Sequence, residues 1–251
     1  MPSPNPRSLT VLRSQRLSPS MHQITLGGPG LRDFPAGQEG GYVKLLLPAG
    51  GIFTKPLLRT YTIRAQRAGE IDVQFALHGG NAAGPATRWA LGAEPGDTIE
   101  VGGPGPAKPL PEGRDFYLIA GDMAALPAIA VNLEAMDRGA RGVALIEIQD
   151  EGDAQPIAAP EGVQIRWLLN PEPGHRADLL ADSLRRVERP EGSIAAWVAC
   201  EFSAMREART FLRGELGLGG ADLYISSYWK LGIDESEHKI VKRADAEALE
   251  A

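Results

Sequence analysis

The sequence contains very little cysteine: Cys200 is the only one among 251 residues. A single thiol excludes an intrachain disulfide, and it also excludes an iron–sulfur cluster or a zinc site built from several cysteines of this chain. Proteins without disulfides are typical of reducing compartments. We therefore expect a cytoplasmic protein.

An excess of positive charge and a long apolar run are also missing. The chain has 26 Lys and Arg residues against 32 Asp and Glu residues, which gives a formal net charge of −6. This balance argues against a nucleic-acid partner and against binding to an anionic membrane surface. No apolar run approaches the ~20 residues of a membrane span, and the Pro-rich first residues carry no signal-peptide pattern. We expect no membrane insertion, and we expect a monomer.

Up to about residue 110, short predicted strands alternate with turns rich in Gly and Pro. Such spacing is typical of a small antiparallel barrel. The Gly- and Pro-rich stretch Gly102–Gly113 marks the best boundary, so we divide the chain into a barrel domain, 1–110, and a second domain, 111–251. The predicted strands are Ser8–Arg16, Met21–Gly27, Tyr42–Leu47, Leu58–Arg64, Ile71–Leu77 and Thr98–Gly102.

Beyond this boundary, apolar strands alternate with amphipathic helices. Phe116–Ala120 is a continuous apolar run, as in buried parallel strands, and Leu126–Asp137 has helical spacing. The alternation predicts a doubly wound α/β domain, whose ligands bind at the carboxyl ends of the strands. Gly121-Asp122 and Cys200-Glu201 fall at two such ends. The other predicted elements are strands Val143–Gln149, Val163–Leu169, Ile194–Cys200 and Asp222–Ser226, and helices Ala177–Glu188 and Ser203–Leu216.

The most informative segment is Arg59–Thr62. On a strand, Arg59 and Tyr61 project to one side, while Thr60 and Thr62 project to the other. An arginine binds phosphate through two parallel hydrogen bonds, and an aromatic ring and a hydroxyl can contact an isoalloxazine ring and a ribityl chain. Taken alone, the segment also fits an edge strand with a surface arginine.

A second segment, Gly84–Thr87, favours the flavin interpretation. Gly84 lets the backbone come close to a phosphate. Thr87 adds a hydroxyl near an expected helix start, where free N–H groups favour an anion. Two half-sites for one dinucleotide are more informative than either alone, and together they predict a flavin site.

The C-terminal segment, Asp234–Ala251, begins with the capping pair Asp234 and Glu237 and continues in residues that favour a helix. Its basic residues lie at spacings that share one helical face, which is basic on an acidic protein. This face is a candidate surface for an anionic substrate, with a solvent-exposed helix exterior as the alternative. The residues are His238, Lys239, Lys242 and Arg243.

Seven segments carry a further pattern: Leu58–Thr62, Phe75–Gly79, Gly84–Ala90, Pro95–Asp97, Ala120–Ile129, Cys200–Arg206 and Tyr228–Lys230. In this order they resemble the siderophore-interacting proteins, which are flavin-dependent ferric-siderophore reductases of the ferredoxin-reductase-like superfamily. The resemblance covers nearly the whole chain. Its joint pattern is specific, although Arg-x-Tyr-Thr alone marks only the wider superfamily.

The resemblance implies an FAD-binding barrel followed by a nicotinamide-binding α/β domain. It implies FAD contacts at Arg59, Thr60, Tyr61, Thr62, Phe75, His78, Gly84, Pro85, Ala86, Thr87 and Trp229. It places Asp122, Cys200 and Glu201 on the nicotinamide side, and it gives Lys55, Lys239, Lys242 and Arg243 to an anionic ferric siderophore. Two departures stand out: Ala124 replaces the Thr of many relatives, and Cys200 replaces their Gly.

The implied reaction sends a hydride from NADH or NADPH to FAD, and then single electrons to Fe(III) in a siderophore. Reduction releases the iron, and the protein needs no metal site of its own. Members of the branch with Ala-Cys-Glu-Phe-Ser accept electrons from NADH or from ferredoxin, so the donor stays open. Two alternatives also stay open: a general ferredoxin or flavin reductase, and an FAD-bearing siderophore-binding relay without nicotinamide activity.

Overall fold

The computed structural model describes residues 6–48, 56–77 and 84–250. The chain divides into two compact units, Met1–Pro109 and Leu110–Ala251. Each unit contains a hydrophobic cluster of its own.

The first unit is a closed antiparallel barrel. Its strands are β1 (Arg7–Ser18), β2 (Met21–Gly27), β3 (Tyr42–Leu47), β4 (Leu57–Arg67), β5 (Glu70–Ala76) and β6 (Thr98–Gly105). They follow each other around the barrel in the order β1-β2-β5-β4-β3-β6. Alternate side chains such as Ile71, Val73 and Phe75 on β5 fill the interior, because successive residues of a strand point to opposite faces. The predicted antiparallel barrel is confirmed.

A short helix, α1 (Pro85–Gly92), packs against β2, β3 and β5. Ala86 and Ala90 belong to the barrel core, and their small side chains let the helix approach the sheet closely. Next to Ala90 in the same helix, the Trp89 ring lies 5.8 Å from the Phe75 ring, centroid to centroid. These contacts place α1 beside the end of β5.

The second unit is a parallel sheet with helices. Its elements are β7 (Phe116–Gly121), α2 (Leu126–Glu134), β8 (Gly142–Ile148), β9 (Val163–Leu169), α3 (Asp178–Arg185), β10 (Ile194–Glu201), α4 (Phe202–Arg209), β11 (Leu223–Trp229) and α5 (Glu235–Glu250). The strand order is β11-β10-β7-β8-β9. The chain therefore runs outward from β7 in both directions, and the topological switch point, where such sheets bind ligands, lies between β7 and β10. The predicted doubly wound α/β fold is confirmed.

Three helices depart from the expected boundaries, and one of them, α3, ends at Arg185 and not at Glu188. α2 stops at Glu134 in a tight turn, in which the N–H of Met136 donates to the carbonyl of Leu133. The predicted helix Ser203–Leu216 is α4 followed by a π-helical segment, Thr210–Glu215. Phe211 and Leu212 are both buried there. The wider turn lets these two adjacent apolar residues face the core together.

The start of α5 follows its sequence signal. The Asp234 carboxylate accepts a hydrogen bond from the N–H of Glu237 at 3.0 Å, and the Glu237 carboxylate accepts one from the N–H of Asp234 at 3.3 Å. This reciprocal pair satisfies two backbone donors that the helix itself leaves unused.

Candidate functional site

The side chains of Arg59 and Tyr61 lie on the inward side of β4. Across the β3–β4 ladder, Arg59 pairs with Leu45 and Tyr61 pairs with Val43, and both partners are fully buried in the barrel core. Paired residues of antiparallel strands point to the same face of the sheet. Thr60 is exposed and projects to the other side. β4 therefore has the two faces that its alternation predicts.

Tyr61 begins a row of three aromatic rings that ends on α1. The ring centroids of Tyr61 and Phe75 lie 4.3 Å apart, and the Trp89 ring follows Phe75. Phe75 is only 1% exposed, whereas Tyr61 and Trp89 are half-buried. Phe75 thus supports two rings that stay partly accessible. Its own predicted contact with FAD stays a prediction.

The guanidinium of Arg59 is available for an anion. It donates to the backbone carbonyl of Leu58 at 2.8 Å, and no carboxylate within the described ranges pairs with it. A guanidinium carries five N–H donors, so one bond to a carbonyl leaves most of them unused. Two parallel N–H groups match the geometry of phosphate oxygens.

The start of α1 offers further donors. Gly84 is the N-cap and Pro85 the first helical residue, and the first turn carries no side-chain cap and no acidic residue. The first helical hydrogen bond runs from the N–H of Arg88 to the carbonyl of Gly84. The N–H groups of Ala86 and Thr87 therefore have no partner within the helix. An added Cβ at Gly84 would meet no described atom within 4 Å.

These features fit FAD. The Arg59 guanidinium and the N–H groups at the start of α1 suit a pyrophosphate, because both bind anions through several donors. The half-buried ring of Tyr61 suits the flat isoalloxazine ring. Among the described residues, none lies within 4 Å of a Cβ added at Gly84, next to these donors.

Several expectations concern residues or features outside this cluster. Lys55 and His78, both predicted site residues, lie outside the described residues. Among the residues that the structure describes, no group of three or more His, Cys, Asp or Glu side chains is placed to hold a metal ion. No described helix is both long enough and apolar enough to cross a membrane.

Asp122 follows β7 at the switch point of the second unit and is 5% exposed. Its Oδ1 accepts hydrogen bonds from the N–H groups of Ala124 at 3.0 Å and Ala125 at 3.3 Å. Its Oδ2 accepts from the N–H of Glu201 at 2.8 Å and from Trp229 Nε1 at 2.7 Å. Burial raises the pKa of this carboxyl group to about 6, against the opposing effect of the four hydrogen bonds. Protein donors therefore occupy both oxygens.

Glu201 ends β10 and caps α4. One carboxylate oxygen accepts from the N–H groups of Ser203 and Ala204, and the other accepts from the N–H of Leu231 at 3.1 Å. The neighbouring Cys200 is 1% exposed, and burial, reinforced by nearby carboxylates, raises the pKa of its thiol. A buried neutral thiol is inert as a nucleophile. The Cys200 side chain lies in the hydrophobic core of the unit and not on its surface.

A third buried carboxyl group joins this edge of the sheet. Glu147, near the end of β8, accepts a hydrogen bond from Asn170 Nδ2 at 2.8 Å, and both residues are buried. Burial, together with repulsion from Asp122, raises the pKa of Glu147 to about 7. Sequence reasoning missed this pair, because Glu147 lies on β8 while Asn170 follows β9, and no local motif marks either one.

Trp229, at the end of β11, is fixed within the second unit. Its indole N–H donates to Asp122. Gly174, with φ of +84°, approaches the other part of the ring so closely that an added Cβ would lie 3.0 Å from the indole. A side chain at this position is disfavoured both by the space and by the backbone conformation. The predicted approach of Trp229 to FAD stays a prediction.

Half of the basic residues predicted on α5 turn toward β11. His238 is buried, with Nε2 2.8 Å from the hydroxyl oxygen of Ser227. Lys242 donates to the hydroxyl of Ser226 at 2.6 Å and to the carbonyl of Ser227 at 2.9 Å. Burial lowers the pKa of both groups. The interpretation of these residues as one basic surface is therefore wrong for His238 and Lys242, because this face packs against the sheet.

The other two basic residues of α5 are exposed and paired along the helix. Lys239 lies 2.7 Å from Glu235, and Arg243 lies 2.8 Å from Glu247, both at a spacing of four residues. Exposed pairs of this kind are weak, so both cations can exchange their partners for another anion.

Both units match known protein families. Residues 10–52 and 53–108 match the siderophore-interacting FAD-binding domain, and residues 114–232 match the siderophore-interacting protein family. These matches cover most of the chain.

Individual relatives extend this similarity over nearly the full length. The ferric vibriobactin reductase ViuB of Vibrio cholerae is 34% identical over 253 residues, covering 93% of this chain and 92% of that protein. The NADPH-dependent ferric-chelate reductase of Escherichia coli is 28% identical, covering 78% and 82%. The crystal structure of the siderophore-interacting protein SipS from Aeromonas hydrophila matches with a TM-score of 0.85 at 33% identity, covering 97% and 98%. The resemblance inferred from the motifs is confirmed, and the chain belongs to the siderophore-interacting proteins.

Proposed function

We propose that this protein is a cytoplasmic ferric-siderophore reductase that takes electrons from NADH, NADPH or a reduced ferredoxin and releases Fe(II). The observation that carries the proposal is the end of the barrel, where the Arg59 guanidinium and the open start of α1 are suited to the FAD that the matched family binds. Bound FAD supplies the redox chemistry, because it can accept a hydride and pass on single electrons, so that each hydride reduces two ferric ions.

The residues of the chain bind the cofactor and orient it. Arg59 and the N–H groups of Ala86 and Thr87 hold the pyrophosphate, and Tyr61, supported by Phe75, positions the ring. A nicotinamide donor would bind the second unit at the switch point between β7 and β10. The name of the Escherichia coli relative supports NADPH as a donor, but that relative is only 28% identical, so the choice between NADH, NADPH and ferredoxin belongs to the experiment.

The substrate assignment rests on the family and on the surface charge of α5. ViuB is named for the reduction of ferric vibriobactin, which supports a ferric siderophore as the substrate of this chain. Ferric siderophore complexes are commonly anionic, and the exposed cations Lys239 and Arg243 can attract them in spite of the net charge of −6. Lys55, which the resemblance also gives to the substrate, lies outside the described residues, and Lys242 is not part of this surface because it donates to β11.

A double variant, Lys239→Ala with Arg243→Ala, tests this surface. We expect the KM for an anionic ferric siderophore to rise roughly threefold, because exposed charges contribute weakly and are screened by salt. The KM for an uncharged quinone acceptor should not change. The matched control, Arg138→Ala with Arg186→Ala, removes the same charge from exposed positions of the same unit. An equal rise in this control would mean that net charge alone attracts the substrate.

Gly84→Ala tests the predicted position of the cofactor. The φ of −65° at Gly84 suits alanine, and the added Cβ meets no described atom, so the unfolding temperature should stay within a few degrees of wild type. If the pyrophosphate approaches this backbone, the Cβ would collide with it, and FAD affinity should fall about tenfold. Isothermal titration of the apoprotein with FAD measures this. Unchanged affinity would place the cofactor elsewhere.

The proposal as a whole is tested by anaerobic absorption spectra of the purified protein. NADH, NADPH and reduced ferredoxin are added in separate experiments, each followed by a ferric hydroxamate and a ferric catecholate. We expect a flavin spectrum that bleaches with a donor and recovers with a ferric complex. Reduction by ferredoxin alone would favour the relay alternative, and fast reduction of free flavin without iron reduction would favour a general flavin reductase. A colourless protein that cannot take up FAD would refute the proposal.

A further inference from the structure

The carboxylate of Asp122 is fully engaged by the protein itself. Each oxygen accepts two hydrogen bonds, and the four donors come from the residues after β7, from the end of β10 and from the end of β11. The group is also buried. It therefore has no free acceptor site facing a ligand, and a direct contact between this carboxylate and a nicotinamide is not the role that the geometry favours.

We propose that Asp122 is a positioning residue that fixes the indole of Trp229 at the carboxyl edge of the sheet and thereby sets the rate of reduction by the electron donor. The second half of this statement rests on the proposed function. The first half concerns the chain alone and can be tested separately.

The hydrogen bonds explain why the indole cannot move freely. Trp229 has a single side-chain donor, and its 2.7 Å bond to a carboxylate is of the strong, charge-assisted kind. The same oxygen also accepts from the N–H of Glu201, so the carboxylate cannot follow the ring without losing a second bond. Movement of the indole would leave a buried charge short of a donor, which is costly.

A second contact closes the other side of the ring. Gly174 lies against the indole and against Glu201, and the N–H of Leu231, two residues after Trp229, donates to the Glu201 carboxylate. The segment from Trp229 to Leu231 is thus tied to the carboxyl edge at two points. Asp122 follows β7 and Glu201 ends β10, so both ties start from the two strands that flank the switch point, where a doubly wound sheet binds its ligand.

The surroundings of Asp122 are acidic. The titratable groups that act on it or are acted on by it are Glu147 on β8, Cys200 and Glu201 on β10 and Tyr228 on β11. Burial raises the pKa of Asp122 to about 6, so the ionised form that best accepts the indole N–H is lost in acid. The bond to Trp229 should therefore weaken as the pH falls through this value.

The test uses the FAD-loaded protein labelled with 5-fluorotryptophan and observed by ¹⁹F NMR. The chain has four tryptophans, and the signal of Trp229 is assigned by its loss in Trp229→Phe. We expect Asp122→Asn to shift or broaden the Trp229 signal alone. In the wild type, that signal should titrate with a midpoint near pH 6, and the titration should be absent from Asp122→Asn. Should Asp122→Asn fail to fold, the titration of the wild-type signal still shows whether Asp122 contacts Trp229.

Kinetics test the consequence for the reaction. With the donor that reduces the wild type, we expect Asp122→Asn to lower kcat about tenfold while the KM for the ferric siderophore stays unchanged, because a bond to a charged group is lost. The double variant with Trp229→Phe should be no slower than the slower single variant, since both changes remove the same bond. Asp153→Asn, at another buried carboxyl group of the same unit, is the control.

The outcomes separate the two proposals. An unchanged Trp229 signal in Asp122→Asn, or no titration in the wild type, would overturn the positioning role whatever the activity. Additive kinetic effects of the two single variants would show that Asp122 acts on the rate through a partner other than Trp229. A wild-type protein that no donor reduces would refute the proposed function. The NMR result would still test the hydrogen bond between Asp122 and Trp229.

Discussion

Replacement of Arg59 by alanine is expected to weaken FAD binding by about 10- to 100-fold. In the proposed site, this guanidinium provides two parallel, charge-assisted hydrogen bonds to the pyrophosphate, and such bonds are each stronger than neutral ones. No described carboxylate depends on Arg59, and its one described bond goes to the neighbouring carbonyl of Leu58. The loss should therefore fall on the cofactor and spare the fold. Titration of the apoprotein with FAD, followed by flavin fluorescence, measures the change.

Two further variants make this result specific. Arg59→Lys keeps the charge but loses the planar fork, so its FAD affinity should lie between those of the wild type and Arg59→Ala. Arg32→Ala removes an exposed positive charge from the same unit and should leave FAD binding unchanged. Normal flavin content in Arg59→Ala, with an unchanged unfolding temperature, would count against Arg59 as the phosphate ligand.

The parts of the fold that local sequence determines were predictable. The period-two alternation of Arg59–Thr62 places Arg59 and Tyr61 on the inward face, as the pairing with β3 confirms. The continuous apolar run of β7 and the capping pair of α5 are likewise properties of short segments. In each case the physical cause acts within a few residues of chain. The three causes are strand alternation, burial on both faces of the sheet and unsatisfied N–H groups.

The polar interior of the second unit was not predictable in the same way. Glu147 on β8 finds Asn170, which directly follows β9, and Asp122 collects donors from the turn after β7 and from the ends of β10 and β11. These partners are brought together by the strand order, which the motifs do not specify. His238 and Lys242 illustrate the same limit, because helical spacing shows which residues share a face but not whether that face meets a sheet or solvent.

Removal of the buried charge at Glu147 should change how the stability of the protein depends on pH. Burial raises the pKa of this carboxyl group from 4.5 to about 7, so the folded protein binds the proton more tightly than the unfolded chain. The stabilisation that the folded protein gains by binding this proton is fully present below the pKa of the unfolded chain. It is lost as the pH rises through 7. A shift of this size corresponds to a loss on the order of 3 kcal/mol by pH 8.

Glu147→Gln separates this effect from the hydrogen bond, because the amide keeps a carbonyl that can accept from Asn170. We expect the variant to lose less of its free energy of unfolding between pH 5 and pH 8 than the wild type, and to be the more stable of the two at pH 8. Urea denaturation followed by tryptophan fluorescence at several pH values measures both curves. Glu151→Gln, at an exposed position of the same unit, should follow the wild-type curve.

Parallel curves for Glu147→Gln and the wild type would mean that this carboxyl group titrates in the folded protein as it does in the unfolded chain. Asp122, whose pKa is also raised by burial, to about 6, would then be the carboxyl group of this edge that makes stability depend on pH.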